Sequence, residues 1–206
     1  MCIFQFSNKL VWKLSLLFQK KATLNYPIFL MEIIDLSLPG LKLIRVHVFH
    51  DDRGYFKECY RKTRYSDGGI DCEFAQDNLS YSNKDVIRGM HFDPSQAKLV
   101  SVLQGKIFDV AVDIRPASPF FGKWEGVYLD ADRHEQLFIP AGFAHGFCVV
   151  SDKGAHVHYK VSSPYNPATE QSFRFDDPNI NIQWPCRNPI ISLRDQKAPL
   201  LCEVVT

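Results

Sequence analysis

The chain has 206 residues, 46% of them hydrophobic, and a formal net charge of +1. That length can bury one sizeable core, and so small a charge gives no bulk field for nucleic acid or anionic lipid, so any anion site must be local. Six cysteines without a C-x-x-C pair suit buried thiols in a reducing, cytoplasmic setting better than a disulfide framework or a zinc site.

Residues 1–30 carry four lysines and no acid, and their apolar stretch is broken by Lys13. The stretch is too short and interrupted to span a bilayer, and no small-residue cleavage site follows it, so stable membrane insertion is not expected. We read 1–30 as a dispensable extension and 31–206 as one domain, because Met31-Glu32-Ile33-Ile34 opens patterned sequence. From Leu41 onward short β-rich runs alternate with turn residues. Lys42 to Phe49 alternates, and His50 to Gly54 turns it into Tyr55 to Tyr60. Ser66-Asp67-Gly68-Gly69 breaks the chain before Phe74 to Asn78. Val86 to Phe92 is followed by Leu99 to Leu103 and Ile107 to Ile114, two strands joined tightly at Gln104-Gly105, the second apolar enough to be central. Trp124 to Leu129, Gln136 to Ile139, Phe143 to Val150 and His156 to Val161 recur at the spacing of an antiparallel sandwich or barrel. A C-terminal part rich in proline then wraps it with short helices at most. The pattern is all-β and jelly-roll-like.

The stretch Val86 to Asp93, closed by Gln96 to Val100, carries the clearest chemistry. His91 lies between Met90 and Phe92, which would exclude water and open its proton affinity to tuning by one polar partner. Arg88 and Lys98 flank it, two cations suited to an anionic substrate.

At Phe74-Ala75-Gln76-Asp77-Asn78, Ile87-Arg88-Gly89-Met90-His91-Phe92, Gln96-Ala97-Lys98-Leu99-Val100, Phe108 to Arg115 and Ile139 to Phe147, the chain resembles the dTDP-4-dehydrorhamnose 3,5-epimerases. The resemblance runs collinearly from about Glu32 to about Glu203. It implies a cupin-type jelly roll, a homodimer, and action without a cofactor on a dTDP-linked 4-keto-6-deoxyhexose. By resemblance, His91 is the base, Asp195 its orienting carboxylate and Tyr159 the proton donor. Substrate contacts fall on Arg53, Glu58, Gln76, Asp77, Asn78, Arg88, Lys98, His145, Glu170 and Arg194. Leu79, Asp93 and Pro164 depart from the family's usual histidine, glutamine and aromatic, the first two beside the chemistry.

A C4 ketone acidifies both neighbouring carbons, so a base can form each enolate and reprotonation on the other face inverts the centre. No metal or nicotinamide is needed. Lys98 is the natural cation to meet charge on the C4 oxygen, giving it a catalytic as well as a binding role. Arg53 and Arg88 would hold the diphosphate. Epimerisation at C3 alone or C5 alone on a related sugar is the nearest alternative. From another class, His91, Asp93 and His145 have the composition of the facial triad of a metal-dependent cupin oxygenase. Against that rival, Lys98 would face the metal, and Pro94 is expected to turn the Asp93 carboxylate away from the pocket.

Overall fold

In the computed structural model, which describes residues 31–205, the apolar runs form two facing antiparallel sheets. The chain enters through β1 (Met31–Asp35) and β2 (Lys42–Val46), then a separate hairpin of β3 (Val48–Asp51) and β4 (Gly54–Lys57) and a helix α1 (Lys62–Asp67). The middle comprises β5 (Gln76–Ser82), β6 (Ile87–Phe92), β7 (Lys98–Gln104), β8 (Lys106–Asp113) and β9 (Trp124–Asp130). After these come β10 (Glu135–Ile139), β11 (Phe143–Val149), β12 (Ala155–Val161), the two-residue β13 (Gln171–Ser172), and the short helices α2 (Leu193–Gln196) and α3 (Leu201–Val204). One sheet has the order β1-β2-β10-β7-β12-β5 and the other β13-β6-β11-β8-β9. From β6 to β12 the chain passes repeatedly between the sheets, and the fold is a cupin-type jelly roll. The expected extension at 1–30 lies outside the described residues.

Burial explains why β8 reads as a continuous apolar run. Its residues beyond Lys106 are all buried, because Ile107 and Ala111 face the space between the sheets while Phe108, Val110 and Val112 face outward beneath the C-terminal segment. That segment supplies Phe173, Ile180, Ile182 and Leu201 as a cover, and Trp184 Nε1 fixes it by donating to the Phe175 carbonyl at 2.8 Å. The outer face of the first sheet is covered differently, by Tyr65 of α1 and Ile70 against Ile44, Leu99 and Phe138.

Three details differ from expectation. β7 and β8 are not hairpin neighbours: Gly105, with φ +82°, turns a corner between the sheets, and a Cβ there would sit 2.3 Å from the Gly154 carbonyl oxygen. β2 stops at Val46 instead of running to Phe49, and after His47 the residues Val48–Asp51 belong to the separate hairpin. The helix α1 falls where only a break was expected; six residues with one buried side chain, Tyr65, offer too little periodicity to read. The described cysteines are all free, but of them only Cys148 is fully buried.

Candidate active site

A cleft opens at one end of the space between the sheets. His91 lines it from β6 in one sheet, and Lys98 and Tyr159 line it from β7 and β12 in the other. Met90, expected to shield the histidine, instead packs on the opposite face of β6 under the C-terminal segment, as strand alternation requires, and Phe92 joins that cluster while also bordering the cleft. What holds His91 is Asp195: Nε2 lies 2.7 Å from Oδ1 of a carboxylate whose side chain is 5% exposed. Asp195 is placed by α2, where its amide donates to Ser192 Oγ at 3.1 Å. Burial pushes its carboxyl up, but the hydrogen bond and charge of His91, with the Gly89 amide and Ser192, outweigh this and hold it below the usual range. An ionised carboxylate accepting from Nε2 leaves the lone pair on Nδ1, so the imidazole is set up as a base.

The other wall supplies a lysine and a tyrosine. Burial lowers Lys98 to about 8, against the pull of Glu170, Asp109 and Asp93, and its Nζ lies 3.5 Å from the His91 carbonyl oxygen. Burial pushes the Tyr159 hydroxyl up, partly opposed by the Arg88 charge, so it keeps a proton to give. A histidine in one sheet thus faces a lysine and a tyrosine in the other.

The remaining sequence-derived residues divide. Asn78 and Glu170 line the cleft. Gln76 stands beside it, donating to Asn78 Oδ1 at 2.8 Å and accepting from the Tyr165 amide at 3.2 Å. His145 is the cross-strand neighbour of His91 and is held at 2.8 Å by the buried Asp109. Arg88 leaves β6 toward Ser82 Oγ, 2.8 Å away, and borders a hollow shared with Asp195 and Arg194. Arg194 pairs with Glu170 at 3.0 Å. Asp77 is not brought to the cleft: it points to the outer face of β5 and pairs with Lys160 at 2.7 Å. Arg53, its side chain 89% exposed, pairs with Asp51 in the β3–β4 turn, and Glu58 pairs with Arg64 beside α1. Neither is among the residues lining the cleft.

Of the departures, Leu79 is 61% exposed on the same outer face as Asp77 and so does not sit by the chemistry as expected. Asp93 is among the residues that line the cleft. It accepts from Thr169 Oγ1 at 2.6 Å and from the Ser95 amide and hydroxyl at 2.9 and 2.7 Å, bonds that hold it below the usual carboxylate range. Its charge therefore acts on Lys98. Pro164 is exposed, next to Tyr165 at the cleft. Among the described residues no three His, Cys, Asp or Glu side chains converge as metal ligands, and His91, Asp93 and His145 are each engaged by a different partner. Sequence reasoning missed Asp109 and the cleft residues Gln96 and Asn166; a carboxylate inside the apolar run of β8 was the available signal for Asp109.

A family model described as dTDP-4-dehydrorhamnose 3,5-epimerase matches residues 35–203. A relative with that description from Neisseria gonorrhoeae is 48% identical over 168 residues, covering 80% of this chain and 51% of the relative, so the chain spans about half of that protein. One from Shigella flexneri is 45% identical over 169 residues, covering 80% and 93% respectively. A dTDP-4-dehydrorhamnose 3-epimerase from Streptomyces niveus is 40% identical over 177 residues, covering 84% and 85%. Among solved structures, a dTDP-6-deoxy-D-glucose-3,5-epimerase from Legionella pneumophila in complex with dTDP-4-keto-L-rhamnose gives a TM-score of 0.80 at 44% identity, covering 84% of this chain and 93% of that one. No helix among the described residues is long and apolar enough to cross a membrane.

Proposed function

Because the chain belongs to the dTDP-4-dehydrorhamnose 3,5-epimerase family, a family of isomerases, we propose that it inverts C3 and C5 of dTDP-4-dehydro-6-deoxy-D-glucose to give dTDP-4-dehydro-L-rhamnose. The observation that carries this reading is the placement of the His91–Asp195 pair on one sheet opposite Lys98 and Tyr159 on the other. His91 takes the proton beside the C4 ketone, and Asp195 stabilises the imidazolium that forms. Charge moves onto the C4 oxygen, where the Lys98 ammonium meets it in a site poor in water. Tyr159 returns a proton from the opposite face, and the same groups serve the second carbon after the sugar shifts. Arg88 and Arg194 border the adjoining hollow and supply the positive charge for the diphosphate. The reaction is redox-neutral and the ketone is its own electron sink, so the residues need no cofactor. We propose further that the enzyme works as a homodimer in a reducing cytoplasm.

The test is incubation with the 4-keto sugar nucleotide in deuterium oxide, with NMR reading the label at each carbon and a ketoreductase trapping the product. Label at both carbons and a trapped L-sugar are expected. The Streptomyces niveus relative is named a 3-epimerase at 40% identity, so label confined to C3 would replace the double epimerisation with that narrower reaction. Absence of exchange at both carbons would refute the enolate mechanism.

A further inference from the structure

On the outer face of β11, away from the cleft, Cys148 Sγ lies 3.0 Å from Cys186 Sγ. Cys148 is buried among the residues that the C-terminal segment covers, and Cys186 is a partly exposed residue of that covering segment. The two lie 38 positions apart. Only the fold brings them together, and among the described residues theirs are the cysteine sulfurs that meet.

We propose that Cys148 and Cys186 form a reversible disulfide, closed by a peroxide acting at Cys186 and reopened by a thiol reductant. The sulfur of Cys186 attacks the peroxide, the O–O bond breaks, one oxygen leaves as water and the other remains as a sulfenic acid. Cys148 then attacks the Cys186 sulfur, the S–O bond breaks, and the departing hydroxide takes the Cys148 proton as a second water. Two thiols and one hydrogen peroxide thus become one disulfide and two waters. The division of roles follows from the surroundings. Burial, reinforced by the Cys186 contact, pushes the Cys148 thiol up, so it is the poorer first nucleophile, whereas Cys186 is reachable from solvent.

The cross-link would staple the covering segment to β11. Beyond Cys186 this segment bonds back through the Ile190 amide to the Asp85 carbonyl at 2.8 Å and continues to Ser192 and Asp195. Oxidation therefore fixes the stretch that presents the His91 partner, without touching the cleft.

The full chain, reduced and then given stoichiometric hydrogen peroxide, decides the matter by peptide mapping after alkylation of free thiols. Expected are a peptide pair joined through Cys148 and Cys186 and lighter by two hydrogens, its loss on adding dithiothreitol, and a melting temperature several degrees higher in the oxidised form. Slower amide exchange across residues 186–195 should accompany it. Cys186→Ser, a near-isosteric change at a partly exposed position, should abolish the joined pair and the shift. Both thiols remaining alkylatable, or Cys186 passing to a sulfinic acid while Cys148 stays free, would overturn the proposal. Cross-links found only through Cys59 or Cys202 would overturn it equally.

Discussion

Replacing Lys98 with methionine should make the protein more stable and much less active. Lys98 lines the cleft and is buried, and its proton affinity falls from the ordinary 10.5 to about 8. At about 1.4 kcal/mol per tenfold change in proton affinity, holding that charge at neutral pH costs the folded state about 3 kcal/mol. Methionine is unbranched and of similar volume, so most of this should return as stability, less about 1 kcal/mol for imperfect packing. The net gain is about 2 kcal/mol, or a melting temperature higher by roughly 4–8 °C for a chain of this size. The pH dependence has a definite sign. The folded-state proton affinity lies below the unfolded one, so the penalty is complete below about pH 8. It fades between about 8 and 10.5, where the unfolded chain still holds a proton that the folded chain has released. Urea unfolding of both proteins at pH 7 and pH 10 should show a large difference at the first and a small one at the second. Activity should fall about 10²- to 10³-fold, as for loss of one oxyanion donor. A variant that is less stable at pH 7, or whose stability difference does not shrink with rising pH, would refute this account of the buried cation.

Three further outcomes are expected. His91→Asn should abolish deuterium exchange at both C3 and C5, while Tyr159→Phe should slow turnover and leave some exchange, since a base is needed to begin and a donor only to finish; NMR in deuterium oxide distinguishes them, and wild-type exchange in His91→Asn would discard the proposed base. Gly146→Ala should destabilise by about 1–3 kcal/mol, because its Cβ would lie 2.6 Å from Met90 Sδ and 2.9 Å from the Arg88 carbonyl oxygen; an unchanged denaturation midpoint would show that β6 and β11 can part freely. A chain beginning at Met31 should keep the melting temperature and activity of the full chain, and failure to fold would give residues 1–30 a structural role.

The strands were legible because burial on both faces of β8 and β11 leaves long apolar runs, and alternation marks β5 as half exposed. The same alternation could have shown that Asp77 and Leu79 turn away from Gln76 and Asn78, since neighbouring strand residues face opposite sides. Sheet membership was not legible at Gly105, where a tight joint suits a hairpin and a corner alike. His91 stood out by its polar company, but its partner lies 104 positions away, and no local pattern carries such a pairing; family resemblance supplied Asp195. Asp109 was readable as an oddity, a carboxylate amid Phe108, Val110 and Val112, although its partner His145 was not.

The distance along the chain between His91 and Asp195 also has a meaning in time. Every strand of both sheets has been synthesised once Ser172 is added, yet Asp195, whose carboxylate meets His91 Nε2, is still 23 positions from being made. At ribosomal rates that interval lasts about 1–5 s. Until the C-terminal segment is in place, His91 lacks the Asp195 carboxylate at Nε2, and Met90, Phe92 and Phe108 lack the cover of Phe173, Ile180, Ile182 and Leu201. That segment brings the partner of His91 and the cover of this outer face together.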